Sequence, residues 1–309
     1  MQILSTAKKS WQYASQVFAD AEEKYRKKQQ WKSFYLTLLS PRIAKKWFET
    51  LQTPFYKSIT PTRPRLYLKP FRVYISTKWT KKKRIKVIED TYHFAMQKNN
   101  ILKQIVLTGK EFEITKIALK ENMEATLTLG YDERYRKEGE FVLMFNCAAL
   151  QGNIVSISFS FEEIKKEKWV CWVGCVQGHE LKDMQASKIV QKGIFGLRPK
   201  SYTLIALQYI CESIGCKEMY GTGDSIQSYR KKHAIHLPWA HKINFKYNEF
   251  WIESGAEKSE DGWYQIPLIP IRRNIKDLKT SKRALYTRRY VMLDELILTI
   301  QEKFSHKKI

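Results

Sequence analysis

No stretch of this 309-residue chain reaches the roughly 18–20 consecutive apolar residues that a bilayer-crossing helix needs. The amino terminus, MQILSTAKKSWQYAS, brings in lysines after a very short apolar start, so no secretory leader is expected. Cysteine is sparse and odd in number, and Cys147, Cys171, Cys175, Cys211 and Cys216 all sit inside apolar segments. That pattern suits buried thiols in a reducing compartment better than a disulfide framework. A cytoplasmic location follows as the expectation. Internal repeats and low-complexity tracts are missing too. So is any helix-turn-helix, zinc module or RNA-binding sheet signature, which makes nucleic acid the less expected partner.

Acidic residues are in short supply: 31 Asp and Glu face 55 Lys and Arg, for a net charge of +24. The excess is uneven. Residues 1–110 hold 24 basic and 6 acidic side chains, whereas 111–224 hold 14 and 16. The first third is thus an electrostatic handle suited to polyanions such as an anionic membrane surface or a phosphorylated precursor. Aromatic residues make up 13% of the chain, enough with the other apolar residues to build a substantial core.

The handle reads as helical. Trp11, Ala14, Phe18, Ala21 and Tyr25 fall at three-to-four spacing, predicting a helix over 5–29. A second amphipathic helix over 42–51 sets Arg42, Lys45 and Lys46 beside Trp47 and Phe48, which either lie on a membrane or pack inward. Pro54, Pro61, Pro64 and Pro70 then predict an extended connector, and Phe71–Ser76 a strand. Lys81–Arg84 opens another helix, as a solvated turn or an anion contact. From 103 onward the period becomes two. Strands are expected at 104–108, 112–118, 125–131, 141–149, 154–161 and 169–176, a meandering antiparallel sheet. Pro199 and Gly215 bracket a helix before a short strand at 217–220, where one parallel pair is expected.

The stretch Gly221–Tyr264 has no regular period but gathers His233, His236, His241, Arg230, Lys231, Lys232 and several aromatic side chains. The histidine spacing matches no zinc pattern and Pro238 interrupts any helix that would align them, so no metal is expected. One of His233 and His236 would serve as a general base, with Asp224 to orient it. Arg230, Lys231 and Lys232, with Arg288 and Arg289 on the last helix, offer a polyanion site. The bland alternative for the last two is the polar face of an amphipathic helix.

The runs GTGD, SYRKKHAIH, YNEFW, GAEKSEDGWYQIP and SKRALYTRRYVMLDEL resemble the VirK/YbjX family of bacterial proteins, with fainter likeness upstream in FGLRPKS, WVGCVQG and FNCAALQG. The resemblance implies a Gram-negative protein tied to the cell envelope: virulence, surface-protein display and tolerance of antimicrobial peptides. It implies a cytoplasmic protein, peripheral at the inner membrane, and no established reaction.

The order of elements also resembles the GNAT acyltransferase core, in which a strand, a glycine loop and a helix amino terminus hold the diphosphate of acyl-coenzyme A. The matching positions are the strand 169–176, the loop Gln191, Lys192, Gly193 to Gly196, and the helix from Pro199, with Lys200 as an added cation. The superfamily's Gln/Arg-x-x-Gly-x-Gly/Ala becomes Gln-x-Gly-x-x-Gly here, some fifteen residues beyond the strand. The expected fold is α+β: a basic helical region over 1–100, then a GNAT-like, largely antiparallel sheet over 101–309 closed by a carboxy-terminal helix. Three functions compete: an envelope protein, an acyl-CoA-dependent acyltransferase acting on an envelope precursor or protein amine, and a polyanion-binding module.

Overall fold

A computed structural model describes residues 2–119, 122–150, 152–178, 184–230 and 245–305. Helices α1 (Gln2–Val17) and α2 (Glu23–Leu38) open the chain, so the single helix expected over 5–29 is two. The break falls where Phe18 turns into the core and meets the Tyr25 ring at 5.9 Å. The two helices meet through Ala7, Ser10 and Ala14 near Ser33 and Thr37, and through Trp11, whose ring meets Trp31 at 4.9 Å and Phe34 at 6.4 Å. Helix α3 (Pro41–Leu51) buries Trp47 and Phe48, and the Trp47 indole donates to the Tyr67 carbonyl at 3.1 Å. Its aromatic stripe therefore faces inward.

The proline-rich segment is no extended connector. It winds into α4 (Pro54–Ile59) and two 3-10 turns over Thr60–Thr62 and Pro64–Phe71. Each of these opens with a proline in its first two positions, where the missing N–H costs nothing and the fixed φ favours a helix. Leu66, Tyr67, Leu68 and Phe71 are buried by the winding. Between 71 and 76 only isolated bridges form, Tyr74 with Ser76 and Ser76 with Gln227, so the expected strand is not made. Helix α5 (Lys81–Lys98) starts where the basic cluster places it, capped by Thr80.

Helix α6 (Asn100–Thr108) replaces the strand expected at 104–108. Asn99 caps it, accepting from the amides of Ile101 and Leu102, and Gly109 closes it at φ +69°. A short apolar run is compatible with either period, and here the caps decide.

The sheet follows the expected meander. Strands β1 (Phe112–Ala118), β2 (Glu124–Gly130), β3 (Phe141–Cys147), β4 (Gly152–Lys165) and β5 (Lys168–Gly178) pair antiparallel in succession. Helices α7 (Met184–Gly193) and α8 (Pro199–Ser213) then carry the chain over to β6 (Glu218–Thr222), parallel to β5. Helix α9 (Tyr247–Glu253), β7 (Glu257–Lys258) and β8 (Trp263–Ile266) finish the edge, giving the strand order β1-β2-β3-β4-β5-β6-β8-β7. Helix α10 (Thr280–Phe304) packs on α8 and β1. The architecture is mixed α+β, with an open and mostly antiparallel sheet of eight strands among the described residues.

Phe141, Leu143, Phe145, Ile157, Phe159 and Phe161 line one face of the sheet. Phe94 of α5 meets Phe161 at 4.4 Å, and Tyr202 of α8 meets Phe145 at 5.0 Å. Burying such a ring contributes about 2 kcal/mol. One apolar core runs from Ala14 to Phe304 and takes in both the amino-terminal helices and the sheet. A buried ion pair ties the same two regions: Lys69 Nζ lies 2.6 Å from Glu140 Oε1, and Tyr74 and Tyr92 donate to that carboxylate at 2.9 and 2.7 Å.

Candidate functional site

The hydrogen-bonded parallel pair runs only from Val170 with Glu218 to Val173 with Gly221. Strand β5 continues to Gly178 while β6, paired along its other edge with β8, ends at Thr222. Beyond Val173 the main chain of β5 on that side therefore looks for other partners. The Gly174 carbonyl accepts the Thr222 hydroxyl at 3.2 Å, and the Val176 amide donates to the Tyr247 hydroxyl at 3.4 Å. The two strands part there, with α9 inserting Tyr247 into the gap.

Next to the gap the second face of the sheet carries a small cluster of Tyr135, Val142, Met144 and Cys175. Glu138 stands over it on the loop between β2 and β3. A Cβ at Gly174 would lie 2.1 Å from the Glu138 carbonyl oxygen, so only glycine lets this loop cross β5 so closely. The Glu138 carboxyl accepts from Gln227 Nε2 at 2.9 Å and interacts with the Cys175 thiol beside it. The Cys175 sulfur lies 3.6 Å from the Tyr247 hydroxyl. Carboxyl, thiol, phenol and the Val176 amide thus form one chain of proton-carrying contacts.

Burial sets the protonation of every group in that chain. It pushes the Glu138 carboxyl up to about 8, against the pull of Lys137 and Arg136. The Cys175 thiol and the Tyr247 phenol are driven well above their ordinary values by the same desolvation. Lys200, on the first turn of α8, is brought down to about 8, again mainly by burial. Its side chain lies against Gly178, and its Nζ sits 3.7 Å from the centre of the Phe245 ring. A carboxyl and an amine that both titrate near neutrality at the free end of a parallel strand pair are the arrangement expected of acid–base work.

The residues singled out in the sequence fall in several places. Asp224 follows β6, and its carboxylate accepts the first two amides of α9, Tyr247 and Asn248, at 3.2 and 3.3 Å. Lys231, Lys232, His233, His236 and His241 lie outside the described residues; the backbone of Arg230 closes the 3-10 turn Ser228–Arg230. Gln191, Lys192 and Gly193 form the last turn of α7. The amides of Ile194, Gly196 and Leu197 already bond to the carbonyls of Val190, Gln191 and Ile194, closing that helix. Lys200 alone of this group faces the parting of β5 and β6. Arg289 donates from Nε and Nη2 to the Phe195 carbonyl at 3.0 and 2.8 Å. Arg288 is exposed and lines a cavity of about 530 Å³ with Lys116, Gly193 and Phe195.

Glu138 and Gln227 carry no motif in the sequence, and Tyr247 opens the run YNEFW without a chemical role attached to it. A second signal was Gly174-Cys175 within WVGCVQG, a glycine beside a thiol in the middle of a strand. Strand interiors use glycine where another backbone approaches, which is what Glu138 does here.

Fold and site together define a mixed α+β protein with a buried acid at the free end of its parallel strand pair. The chain belongs to the family described as "Protein of unknown function (DUF535)", whose family model matches residues 22–302. It is similar to "Uncharacterized protein YbjX" of Escherichia coli (strain K12), 23% identical over 266 residues, covering 84% of this chain and 78% of that protein. An uncharacterized protein of Haemophilus influenzae is 28% identical over 222 residues, covering 71% of this chain and 70% of the other. Among solved structures, a cAMP-binding acyltransferase from Mycobacterium smegmatis overlaps at a TM-score of 0.31 with 8% identity. The overlap covers 74% of this chain and 66% of that one, and it is too slight to carry an argument about chemistry.

Proposed function

We propose that this protein is an acyl-CoA-dependent acyltransferase that modifies an amine, on an envelope precursor or on a protein, at the parting of β5 and β6. One observation carries the reading: the buried Glu138–Cys175–Tyr247 chain ends on the Val176 amide where β5 loses its parallel neighbour. Glu138, ionised above about pH 8, takes a proton from the attacking amine as the new C–N bond forms. Tyr247 gives its proton to the departing sulfur as the C–S bond breaks. Glu138 then returns the amine's proton to Tyr247 through the Cys175 thiol, so the proton lost by the amine ends on the leaving thiol. Cys175 itself stays protonated in so apolar a site, which favours direct transfer over an acyl-cysteine. Lys200, charged below about pH 8, supplies a cation beside the gap for the donor's phosphates.

An envelope setting enters through the amino-terminal helices. Along α2 and its end, Trp31, Tyr35 and Leu39 are exposed at four-residue spacing, with Lys24, Lys27, Lys28 and Lys32 on the same helix. Exposed aromatics among lysines suit the interface of an anionic bilayer. No helix among the described residues is long and apolar enough to cross a membrane.

Calorimetry of the full chain with coenzyme A and acetyl-coenzyme A tests the reading. Saturable binding that weakens in Lys200→Met supports it. The absence of heat and of any thermal shift at about millimolar ligand overturns it.

A further inference from the structure

A cavity of about 300 Å³ opens between α8, α10 and the segment before α10, on a different side of α8 from the one Lys200 presents to Gly178. Arg198, Arg272, Arg273 and Arg289 line it, and no carboxylate does. The acids that pair with two of them sit outside the lining: Asp294 with Arg272 at 2.6 Å and Glu253 with Arg198 at 2.7 Å. With Arg272 and Arg198 so paired, the charges of Arg273 and Arg289 are left to repel each other across the hollow unless an anion joins them.

Two of the guanidinium groups are held in place beforehand. Arg289 lies over the Tyr286 ring at 4.2 Å with its two bonds to the Phe195 carbonyl, and Arg272 lies over Tyr290 at 5.2 Å. Stacking and hydrogen bonds fix such forks at low entropic cost, the condition for bidentate recognition of phosphate. Gly196 makes room for this. Its φ is +71°, and a Cβ there would meet Arg289 Nη2 at 3.3 Å. Arg273 makes no side-chain hydrogen bond or ion pair among the described residues. The rim is apolar: Pro270 and Ile271 line the cavity, and Ile271 is 79% exposed.

We infer that this cavity binds a phosphate ester, its phosphate among Arg272, Arg273 and Arg289 and its organic part against Ile271 and Tyr290. The inference stands apart from the transfer reaction, because neither Glu138 nor Tyr247 lines the cavity. Two sources share this chemistry, a water-soluble phosphate ester and the headgroup of a phospholipid.

Calorimetry of the full chain tests the inference with three probes: pyrophosphate, ADP, and a short-chain phosphatidic acid below its micelle concentration. Saturable binding of at least one probe is expected with a Kd below about 1 mM, weakened about tenfold or more in Arg273→Gln. Lys282→Gln, an exposed cation on α10 that does not line the cavity, leaves the affinity unchanged. ADP binding without phosphatidic acid binding assigns a soluble ester, and the reverse assigns a lipid headgroup. Glu138→Gln disables the proposed transfer but leaves this affinity as it is, so the two proposals fail separately. No saturable binding of any probe at about 10 mM overturns the site, as does equal weakening in Arg273→Gln and Lys282→Gln.

Discussion

Gln227 donates its side-chain amide to Glu138 Oε1 at 2.9 Å across 89 residues of sequence. Both side chains are buried, Gln227 completely, and Gln227 Oε1 accepts the Tyr229 amide at 2.7 Å. A neutral amide satisfies a carboxyl in either protonation state but brings no charge to offset its burial. Desolvation therefore governs Glu138, and the group becomes a titrating acid near neutrality instead of a spectator.

Stability should carry the mark of that titration. Folded, Glu138 keeps its proton to about pH 8, whereas its ordinary value is 4.5. Between those values the unfolded chain binds fewer protons, so stability falls as pH rises, by at most about 1.4 kcal/mol per unit, and levels off above about 8. Lys200 acts in the opposite sense. It loses its proton near 8 when folded and near 10.5 otherwise, so its contribution recovers as pH climbs between those values. The groups facing Glu138 are the Cys175 thiol, the Tyr229 and Tyr247 phenols, and the charges of Arg136 and Lys137. In urea unfolding, Glu138→Gln should match the wild type near about pH 4 and exceed it at about pH 8. A wild-type deficit that fails to grow across that window would sink the assignment.

The buried pair between Lys69 and Glu140 should be unforgiving. Lys69→Met leaves a carboxylate in the core with only the Tyr74 and Tyr92 hydroxyls to answer it. Removing one partner of such a pair costs about 3–5 kcal/mol. The double variant Lys69→Met with Glu140→Gln removes the stranded charge and should recover part of the loss. Denaturant midpoints of the two variants decide it; equal destabilisation would show that the stranded carboxylate charge is not the source of the loss.

Period-two alternation made the meander from β1 to β5 legible, and Pro199 with Gly215 bracketed α8. What stayed hidden depended on contacts distant in sequence. The seam between α1 and α2 adds Ser10, Ser33 and Thr37 to the Trp11 and Ala14 that the apolar period marks, and those polar side chains give no apolar signal. The prolines from 54 to 70 looked like breakers because their role as helix starters depends on neighbours that bury Leu66 and Tyr67. The Lys81–Arg84 run looked like a surface charge cluster, yet Lys83 holds the buried Glu162 through both oxygens at 2.6 Å and Arg84 donates to the Arg72 carbonyl. At the candidate site Lys200 and Asp224 were named in advance for chemistry, and Cys175 only as a buried thiol. Glu138, Cys175 and Tyr247 meet because one loop crosses a glycine and one helix fills a gap between strands, events without a local pattern.

Membrane contact should follow α2 more than the Lys81–Arg84 cluster, since Lys83 and Arg84 are spent inside the fold. Binding to vesicles should rise with the fraction of anionic lipid and fall with salt, as the screening length drops below about 10 Å above 0.1 M. Each lysine near the surface contributes about 1 kcal/mol. Trp31→Ala combined with Lys28→Gln should therefore weaken binding about tenfold or more, while the circular dichroism spectrum is retained. Sedimentation with vesicles reads the effect. Binding indifferent to lipid charge, or unchanged in the double variant, would remove α2 from the interface.

The catalytic reading makes its own demand on pH. If Glu138 is the base, the rate with a saturating acyl donor should climb with pH and level off above about 8, where the carboxyl is ionised. Glu138→Gln should abolish the climb and lower kcat about a hundredfold or more, the usual yield of a positioned base. Tyr247→Phe keeps the ring that fills the gap but removes the hydroxyl, so it should lower kcat with little change in KM. Lys200→Met should act oppositely, raising KM for the donor because its cation serves binding. Folding must be checked beside each, and Tyr247→Phe is the cleanest because it deletes one oxygen from a ring held against Trp251 and Phe245. An activity that survives Glu138→Gln with its pH dependence intact would move the base elsewhere. If Tyr247→Phe retained full kcat, the hydroxyl would serve only to satisfy the Val176 amide, and the relay from Glu138 would have no catalytic part.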